Sequence, residues 1–176
     1  MERLFQAQRS AFAAAPYPAL ADRKQGLRRL RDAVRKHAGS LAHAADRDFG
    51  GRAHAETMMV DVLPSVLHIN HLLGGLGRWM RPSRRSVELL FLGNSAKVVY
   101  QPKGVVGIVV PWNFPVYLAL GPLATALAAG NRCLIKTSEF APRTSAALRA
   151  LLAEAFTEDE VAIVEGDADV ARQFTG

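Results

Sequence analysis

Residues 104–115 read Gly-Val-Val-Gly-Ile-Val-Val-Pro-Trp-Asn-Phe-Pro. The aliphatic run at 105–110 predicts a strand that is buried on both faces, and the proline that follows ends the strand. A proline at each end of the next loop fixes φ there, so the Asn113 carboxamide is predicted to be held in place. The apolar segment 116–129 is compatible with a helix. The loop therefore lies between the carboxyl end of a strand and a helix N-terminus, where α/β proteins bind ligands.

A second polar loop follows the next predicted strand. Gly130-Asn131 predicts the end of the helix, 132–136 reads as a short strand, and Lys136-Thr-Ser-Glu139 comes directly after it. Lys136 and Glu139 together have the donors and acceptors to bind the hydroxyls of a ribose. Two interpretations stay open for the pair of loops. They form either a ligand site, in which the first loop donates to an oxyanion, or ordinary turns with an incidental charge pair.

The order of elements from residue 103 onward indicates a parallel α/β sheet, because predicted strands and helices alternate. The predicted strands are 105–110, 132–136 and 161–165, and the predicted helices are 116–129 and 142–156. Gly166 follows the third strand, and its missing Cβ permits a ligand or a helix to approach closely. The sequence has no G-x-G-x-x-G motif, so a conventional Rossmann phosphate loop is not predicted.

The first 85 residues are predicted to form a helical region. The predicted helices cover 2–14, 20–38, a short third segment from Ser40 to Gly50, and a longer region at 53–80. Ser40 is expected to cap the third helix, and Gly50-Gly51 is expected to end it. Pro64 and the glycines at 74–77 are expected to disturb the long region, by a break or a helix–helix contact.

Residues 86–102 are predicted to form a β-hairpin. Val87–Leu92 and Lys97–Tyr100 have the composition of strands and flank the turn Gly93-Asn-Ser95. An exposed edge rich in valine, leucine and phenylalanine needs to be covered. The sequence thus predicts three parts: an amino-terminal helical region at 1–85, the hairpin at 86–102, and an incomplete dinucleotide-binding α/β region at 103–176.

Charge and composition exclude several classes of protein. The formal charge is +6 and arginines are concentrated before residue 86, but no nucleic-acid-binding motif accompanies them, so a solvated helix surface is predicted. No stretch approaches the roughly 20 apolar residues of a membrane span, and the first residues lack the apolar core of a signal peptide. A single cysteine excludes an internal disulfide and favours the reducing cytoplasm. His68 and His71 lie three residues apart, but without a third ligand they do not predict a metal site.

Three motifs carry a resemblance to a known family: GVVGIVVPWNFP at 104–115, ALAAGN at 126–131 and IKTSE at 135–139. In this order they resemble the cofactor-binding half of the NAD(P)-dependent aldehyde dehydrogenase superfamily. Shorter segments are similar to its coniferyl-aldehyde dehydrogenase branch in particular: Leu4–Phe12, Asp48–Arg52 and Trp79–Pro82. The resemblance implies a truncated aldehyde dehydrogenase-like fold that holds the first βαβαβ of a Rossmann-like sheet. It also implies a homo-oligomer, because strands near the hairpin mediate subunit association in that family.

The resemblance assigns roles to individual residues. Asn113 would be the oxyanion-hole donor, and Lys136 and Glu139 would contact the ribose of adenosine. The residues implied in binding NAD or NADP are Val109, Val110, Pro111, Trp112, Lys136, Ser138, Glu139 and Gly166. A proline usually follows the lysine in this family, so Thr137 puts the rigidity of that loop in question. A lysine in place of an arginine leaves NAD and NADP equally open.

The implied reaction is oxidation of a small-molecule aldehyde, of coniferyl type by resemblance, to the carboxylic acid. The family's nucleophilic cysteine and general-base glutamate lie in motifs beyond residue 176. Cys133, the only thiol, lies in an apolar strand and is predicted to be buried and inert. Phe174-Thr-Gly176 comes too soon after the third strand to be the family's Phe-Thr-Gly-Ser turn. The chain alone is expected to be inactive and poorly soluble. The alternative is a non-catalytic dinucleotide-binding or interaction module.

Overall fold

The computed structural model describes residues 1–175, and a three-stranded parallel sheet organises the second half of that range. In chain order the elements are α1 (Glu2–Ala14), α2 (Leu20–Phe49), α3 (His54–Thr57), α4 (Leu63–Trp79), β1 (Ser83–Arg85), β2 (Ala96–Val98), β3 (Val105–Val109), α5 (Tyr117–Ala128), β4 (Arg132–Lys136), α6 (Pro142–Ala155), β5 (Val161–Val164) and α7 (Ala168–Thr175). Strands β3, β4 and β5 are neighbours in that order, whereas β1 and β2 form a separate antiparallel pair. The predicted α/β class, with amino-terminal helices and one βαβαβ unit, is confirmed.

Strand β4 lies at the centre of the sheet and is almost completely buried. Cys133 and Ile135 are inaccessible to solvent, and Leu134 is 4% exposed. Helix α5 connects β3 to β4 and contacts both strands, and α6 connects β4 to β5. Helix α2 packs against α4, α5 and α6, so the amino-terminal helices and the sheet share one hydrophobic core.

Helix α2 is continuous through the position where a third helix was predicted to begin. Ser40 lies inside the helix and caps nothing, so that prediction was wrong. The reason is an unbroken apolar face: Leu27, Leu30 and Leu41 are all inaccessible to solvent. The predicted end at Gly50 is confirmed, because Gly50 adopts φ 65° and its N–H donates to the carbonyl of Asp46.

The helical region after α2 contains one irregular turn. Residues Met58–Val62 form a π-helical segment between α3 and α4, and the N–H of Leu63 donates to the carbonyl of Met58, five residues earlier. Pro64 explains this position, since it has no N–H to donate to the carbonyl four residues before it. The glycines at 74–77 do not break α4, and Gly77 lies next to Leu20 at the start of α2.

The antiparallel pair begins earlier than the sequence predicted. Ser83–Arg85 pairs with Ala96–Val98, with Arg84 opposite Lys97. The segment Val87–Leu92, predicted as a strand, instead contains a 3-10 turn at Leu89–Phe91. The side chains of this turn are exposed to solvent: Leu89 is 82% exposed, Leu90 is 86% exposed and Phe91 is 53% exposed. Without a buried face to pack against, the apolar residues have no surface that would hold them in a strand.

Helix α7 ends the described part of the chain. Its Phe174 ring lies over Gly107 of β3, where a Cβ would approach the ring to 2.9 Å. Phe174 belongs to this helix and not to a turn at the end of a strand, in agreement with the sequence prediction. Gly176 lies outside the described residues. None of the helices within residues 1–175 is both long and apolar enough to cross a membrane.

Candidate functional site

The sheet brings the ends of its three strands to one edge. In the strand register, Val109 of β3 lies opposite Lys136 of β4, which in turn lies opposite Val164 of β5. Hydrogen bonds continue past the strands, from Val110 N to Lys136 O at 2.9 Å and from Thr137 N to Val164 O at 3.3 Å. The two polar loops predicted as a ligand site are therefore neighbours, and the turn at Gly166 follows beside them.

The loop after β3 presents its side chains to solvent. Val109 and Trp112 are each 54% exposed, Phe114 is 40% exposed, and Asn113 is exposed as well. The Asn113 amide protons are therefore accessible to a ligand. Val110 differs, because its side chain is 3% exposed and belongs to the core. Of this residue, only the backbone can face a ligand.

Arg52 holds this loop from the turn between α2 and α3. Its side chain is buried, and NH1 donates to the backbone carbonyl of Asn113 at 3.3 Å. The guanidinium also stacks between two aromatic rings, 5.1 Å from the Phe49 centroid and 5.5 Å from the Phe114 centroid. Phe49 in turn contacts Trp112, with ring centroids 6.4 Å apart. We call this set, Phe49, Arg52, Asp61 and the loop 111–115, the arginine clamp.

Asp61 is the acidic member of the arginine clamp. Oδ1 accepts a hydrogen bond from the Tyr117 N–H at the start of α5, at 2.8 Å. Oδ2 lies 3.2 Å from Arg52 NH2, but the two are not aligned as a hydrogen bond, so their attraction is mainly coulombic. Burial raises the pKa of the Asp61 carboxyl above its usual value, and the Tyr117 N–H and the Arg52 charge oppose this shift. The carboxylate links the π segment, α5 and Arg52.

The second loop is organised around a buried lysine. Lys136 is 2% exposed, and its Nζ donates to Thr137 O at 2.7 Å and lies 3.4 Å from Glu139 Oε2. The pKa of the exposed Glu139 carboxyl is lowered, first by its own backbone N–H and then by Lys136. The Ser138 hydroxyl accepts from Phe140 N and so helps to shape the turn. An ionised carboxylate beside an ammonium group suits recognition of vicinal hydroxyls.

Gly166 allows a close contact, as predicted, but the group that approaches it is the Val170 side chain of α7 and not a ligand. Its φ of 151° lies where other residues are strained, and a Cβ would meet Val170 Cγ2 at 2.4 Å. The missing Cβ therefore admits α7. The predicted ligand contact at this glycine stays a prediction.

Cys133 has the properties that the sequence predicted. Its thiol is inaccessible to solvent, and burial raises its pKa to about 12. It lies opposite Val106, three residues before the end of β3. Since only a thiolate is nucleophilic, this thiol is inert at neutral pH.

Sequence reasoning missed Arg52 and Asp61. Each carried a signal, because Arg52 directly follows the Gly50-Gly51 turn and Asp61 is a lone carboxylate within the run Met-Met-Val-Asp-Val-Leu. Buried charges are rare unless they are paired. The apolar run could have indicated a buried carboxylate at Asp61, but its partner lies nine residues away in a turn whose path the sequence does not specify.

Comparison with known proteins decides the family. The profile of the aldehyde dehydrogenase family matches residues 1–176. The chain belongs to the aldehyde dehydrogenase family. It is 47% identical over 175 residues to a probable coniferyl aldehyde dehydrogenase of Pseudomonas aeruginosa, and 41% identical over 179 residues to one of Caulobacter vibrioides. These matches cover 99% and 100% of the chain, and they confirm the resemblance to that branch of the family.

Solved aldehyde dehydrogenases have the same fold. The substrate-bound AldH of Staphylococcus aureus superposes with a TM-score of 0.93 over 98% of the chain, at 23% identity. PnpE of Pseudomonas sp. WBC-3 superposes with a TM-score of 0.83 over 97% of the chain, at 28% identity. The chain spans 37% of the length of each of the two coniferyl aldehyde dehydrogenase relatives and 37% of the S. aureus structure.

Proposed function

We propose that this chain is the amino-terminal cofactor-binding part of an NAD(P)-dependent aldehyde dehydrogenase, in which Asn113 is the oxyanion donor. The proposal rests on the conformation of the loop after β3, where the Asn113 backbone is held and its side chain is exposed. Its carbonyl is fixed by Arg52, while the Asn113 carboxamide stays exposed beside the Lys136–Glu139 loop. A donor residue whose backbone is held at the carboxyl end of a parallel strand suits stabilisation of a developing oxyanion.

The second loop fits the ribose of a dinucleotide. Glu139 offers an ionised, exposed carboxylate, and Lys136 has one ammonium proton beyond the two directed at Thr137 and Glu139. The exposed faces of Val109 and Trp112 add apolar surface on the side of the Asn113 loop. NAD and NADP both contain the ribose that this arrangement would bind, and one solved relative at 18% identity, a succinic semialdehyde dehydrogenase from Streptococcus pyogenes, holds NADP+.

The chain's own part in the reaction follows from this geometry. A cysteine thiolate from the rest of the enzyme adds to the aldehyde carbonyl, and the carbonyl oxygen becomes an alkoxide. Asn113 donates an amide proton in a hydrogen bond to that oxygen and lowers the energy of the charged intermediate. The dinucleotide that Lys136 and Glu139 would hold would supply the hydride acceptor, so that the alkoxide intermediate would become a thioester of the cysteine. A glutamate-activated water then releases the acid and restores the thiol.

The substrate class is proposed from the relatives. Two proteins named as probable coniferyl aldehyde dehydrogenases match the whole chain at 41–47% identity, so we propose an aromatic aldehyde of that type. We further propose a cytoplasmic homo-oligomer. The solvated apolar turn Leu89–Phe91 beside the β1–β2 pair would then be covered by a partner subunit.

The test uses a full-length enzyme in which this chain replaces the matching third of the P. aeruginosa relative. Asn113→Ala should lower kcat by roughly a hundredfold or more, since one oxyanion donor contributes roughly 3–4 kcal/mol, and should leave the affinity for the dinucleotide unchanged. Asn94→Ala, at another exposed asparagine in a turn, is the matched control and should retain full activity. A turnover rate near wild type for Asn113→Ala would refute the assigned role.

Cofactor binding is tested separately in the same protein. Glu139→Gln should weaken NAD or NADP binding roughly tenfold, because it replaces a charged acceptor by a neutral one. Glu165→Gln changes another exposed carboxylate near the same sheet edge, one that pairs with Arg149, and should have no effect. Equal affinities in the three proteins, measured by calorimetry, would place the dinucleotide elsewhere.

A further inference from the structure

Two histidines and an aspartate come together where α2 meets α3, away from the site described above. His43 and Asp46 lie three residues apart on α2 and so share a face, and His54 is the first residue of α3. One ligand atom from each side chain lies within 4.8 Å of the other two. Gly50 and Gly51, both at positive φ, reverse the chain and bring His54 back beside the last turns of α2.

The three side chains are arranged as ligands around one point, with one side open to solvent. His54 Nε2 and Asp46 Oδ2 are 3.8 Å apart, and the two imidazole rings are perpendicular with centroids 6.1 Å apart. Ligand atoms about 2.0–2.1 Å from a tetrahedral zinc ion are roughly 3.4 Å from each other. The ligand atoms are therefore somewhat farther apart than in a filled site, and they belong to two exposed histidines and a half-buried aspartate.

We propose that His43, Asp46 and His54 bind a divalent late transition metal of the zinc type, with water completing the tetrahedron. Two imidazoles and one carboxylate are a ligand set that zinc prefers, whereas calcium and magnesium prefer all-oxygen sites. Bound metal would cross-link the end of α2 to the start of α3. Phe49 ends α2 and Arg52 lies in the turn before α3, so the metal would brace the arginine clamp from outside.

The charges around the cluster predict moderate affinity. Arg47 follows Asp46 on α2, and its positive charge opposes a cation. Arg143 lies nearby, but it donates to the Arg47 carbonyl and its NH1 is 4.0 Å from Asp48 Oδ1, so its charge is partly neutralised. Three protein ligands at a solvated position also bind less tightly than a closed four-ligand site. We therefore expect weaker, reversible binding than at a closed four-ligand site.

The experiment titrates zinc chloride into the full chain in a non-chelating buffer at pH 7.5, followed by calorimetry. Cobalt chloride serves as a second probe, because tetrahedral Co2+ absorbs visibly and reports nitrogen and oxygen ligation. His43→Ala, His54→Ala and Asp46→Asn each remove one ligand. His68→Ala and His71→Ala are the matched controls, since these histidines are also three apart on one helix, α4.

One zinc per chain is expected, and each of the three ligand variants should lose at least about tenfold in affinity. Zinc should also raise the melting temperature of the wild type and of both control variants, but not that of the ligand variants. The proposal is overturned if the wild type binds no zinc, or if the ligand variants bind as tightly as the wild type. Loss of binding in the His68 or His71 variants would place the metal on α4 and equally overturn it.

Discussion

The Arg52 guanidinium donates a hydrogen bond to the Asn113 backbone carbonyl across 61 residues of sequence, at a distance of 3.3 Å. This contact joins the turn between the first helices to the loop that carries the proposed oxyanion donor. The carbonyl and the carboxamide belong to the same residue, so a shift in one moves the other. Arg52 would in this sense be a positioning residue, since it holds the backbone of the proposed donor residue.

Replacing Arg52 should separate positioning from folding. Arg52→Ala leaves Asp61 buried without its partner and should destabilise the protein by about 3–5 kcal/mol. Arg52→Lys keeps a positive charge but loses the planar contacts with Phe49 and Phe114. The lysine variant should fold and show kcat lowered roughly tenfold or more, with KM for the dinucleotide little changed.

The control for Arg52 is Arg28→Lys, which alters an exposed arginine on α2. It should affect neither stability nor turnover. Steady-state kinetics in the full-length enzyme and urea unfolding of each variant measure the two effects. If Arg52→Lys had wild-type kcat, the planar guanidinium would not be needed to position Asn113.

Asp61 should make stability fall as the pH rises from below the ordinary aspartate pKa through the raised value. Its pKa is raised on folding, chiefly by burial, so the folded state binds its proton more tightly than the unfolded state. The favourable contribution is complete below the ordinary Asp pKa of about 3.9 and is lost as the pH passes the raised value. Urea unfolding of wild type and Asp61→Asn should show the wild type losing stability relative to the variant over that window. A relative gain would contradict the assignment.

Cys133 should resist thiol reagents in the native state. With a pKa of about 12 and no solvent access, it should not react with a disulfide reagent at pH 8 until the protein is unfolded in urea. Cys133→Ala in the full-length enzyme should leave aldehyde oxidation unchanged. Rapid native labelling would contradict the burial of this thiol. NAD-dependent turnover by the 176-residue chain that disappears in Cys133→Ser would show that Cys133 is the nucleophile.

Replacing Gly166 and Gly39 by alanine should change the free energy of unfolding in opposite directions. Gly166→Ala places a Cβ at a φ of 151° and 2.4 Å from Val170, so it should destabilise by about 1–3 kcal/mol. Gly39 lies inside α2 with open space around it, so Gly39→Ala should stabilise by up to about 1 kcal/mol. Thermal unfolding measures both. Equal effects would mean that the turn at Gly166 relaxes around the added methyl group.

The sequence predicted those parts of the fold that local patterns determine. Continuous aliphatic runs separated by helical segments indicated β3, β4 and β5. The polar residues after them indicated the edge where the loops that carry Asn113 and Lys136 are neighbours. Ser40 shows the limit, because its capping propensity was outweighed by the continuous apolar face of α2. Val87–Leu92 was wrongly predicted as a strand, since strand-like composition does not fix which segment pairs with 96–98.

The arginine clamp could not be predicted for a related reason. Arg52, Asp61 and Asn113 come from three segments, and only the packing of α2, α4 and α5 brings them together. The charges and spacing of residues in a sequence can predict an ion pair within one helix, but they do not predict an ion pair between residues in different segments.

The π turn before Pro64 makes the length of that segment functionally important. Each residue of a helix turns the next side chain by about 100°, so deleting one residue between 58 and 62 would straighten the helix. The same deletion would swing the carboxylate at 61 away from Arg52 and from the start of α5. A more regular helix would therefore give a poorer catalyst, because the irregular turn sets the direction of that carboxylate.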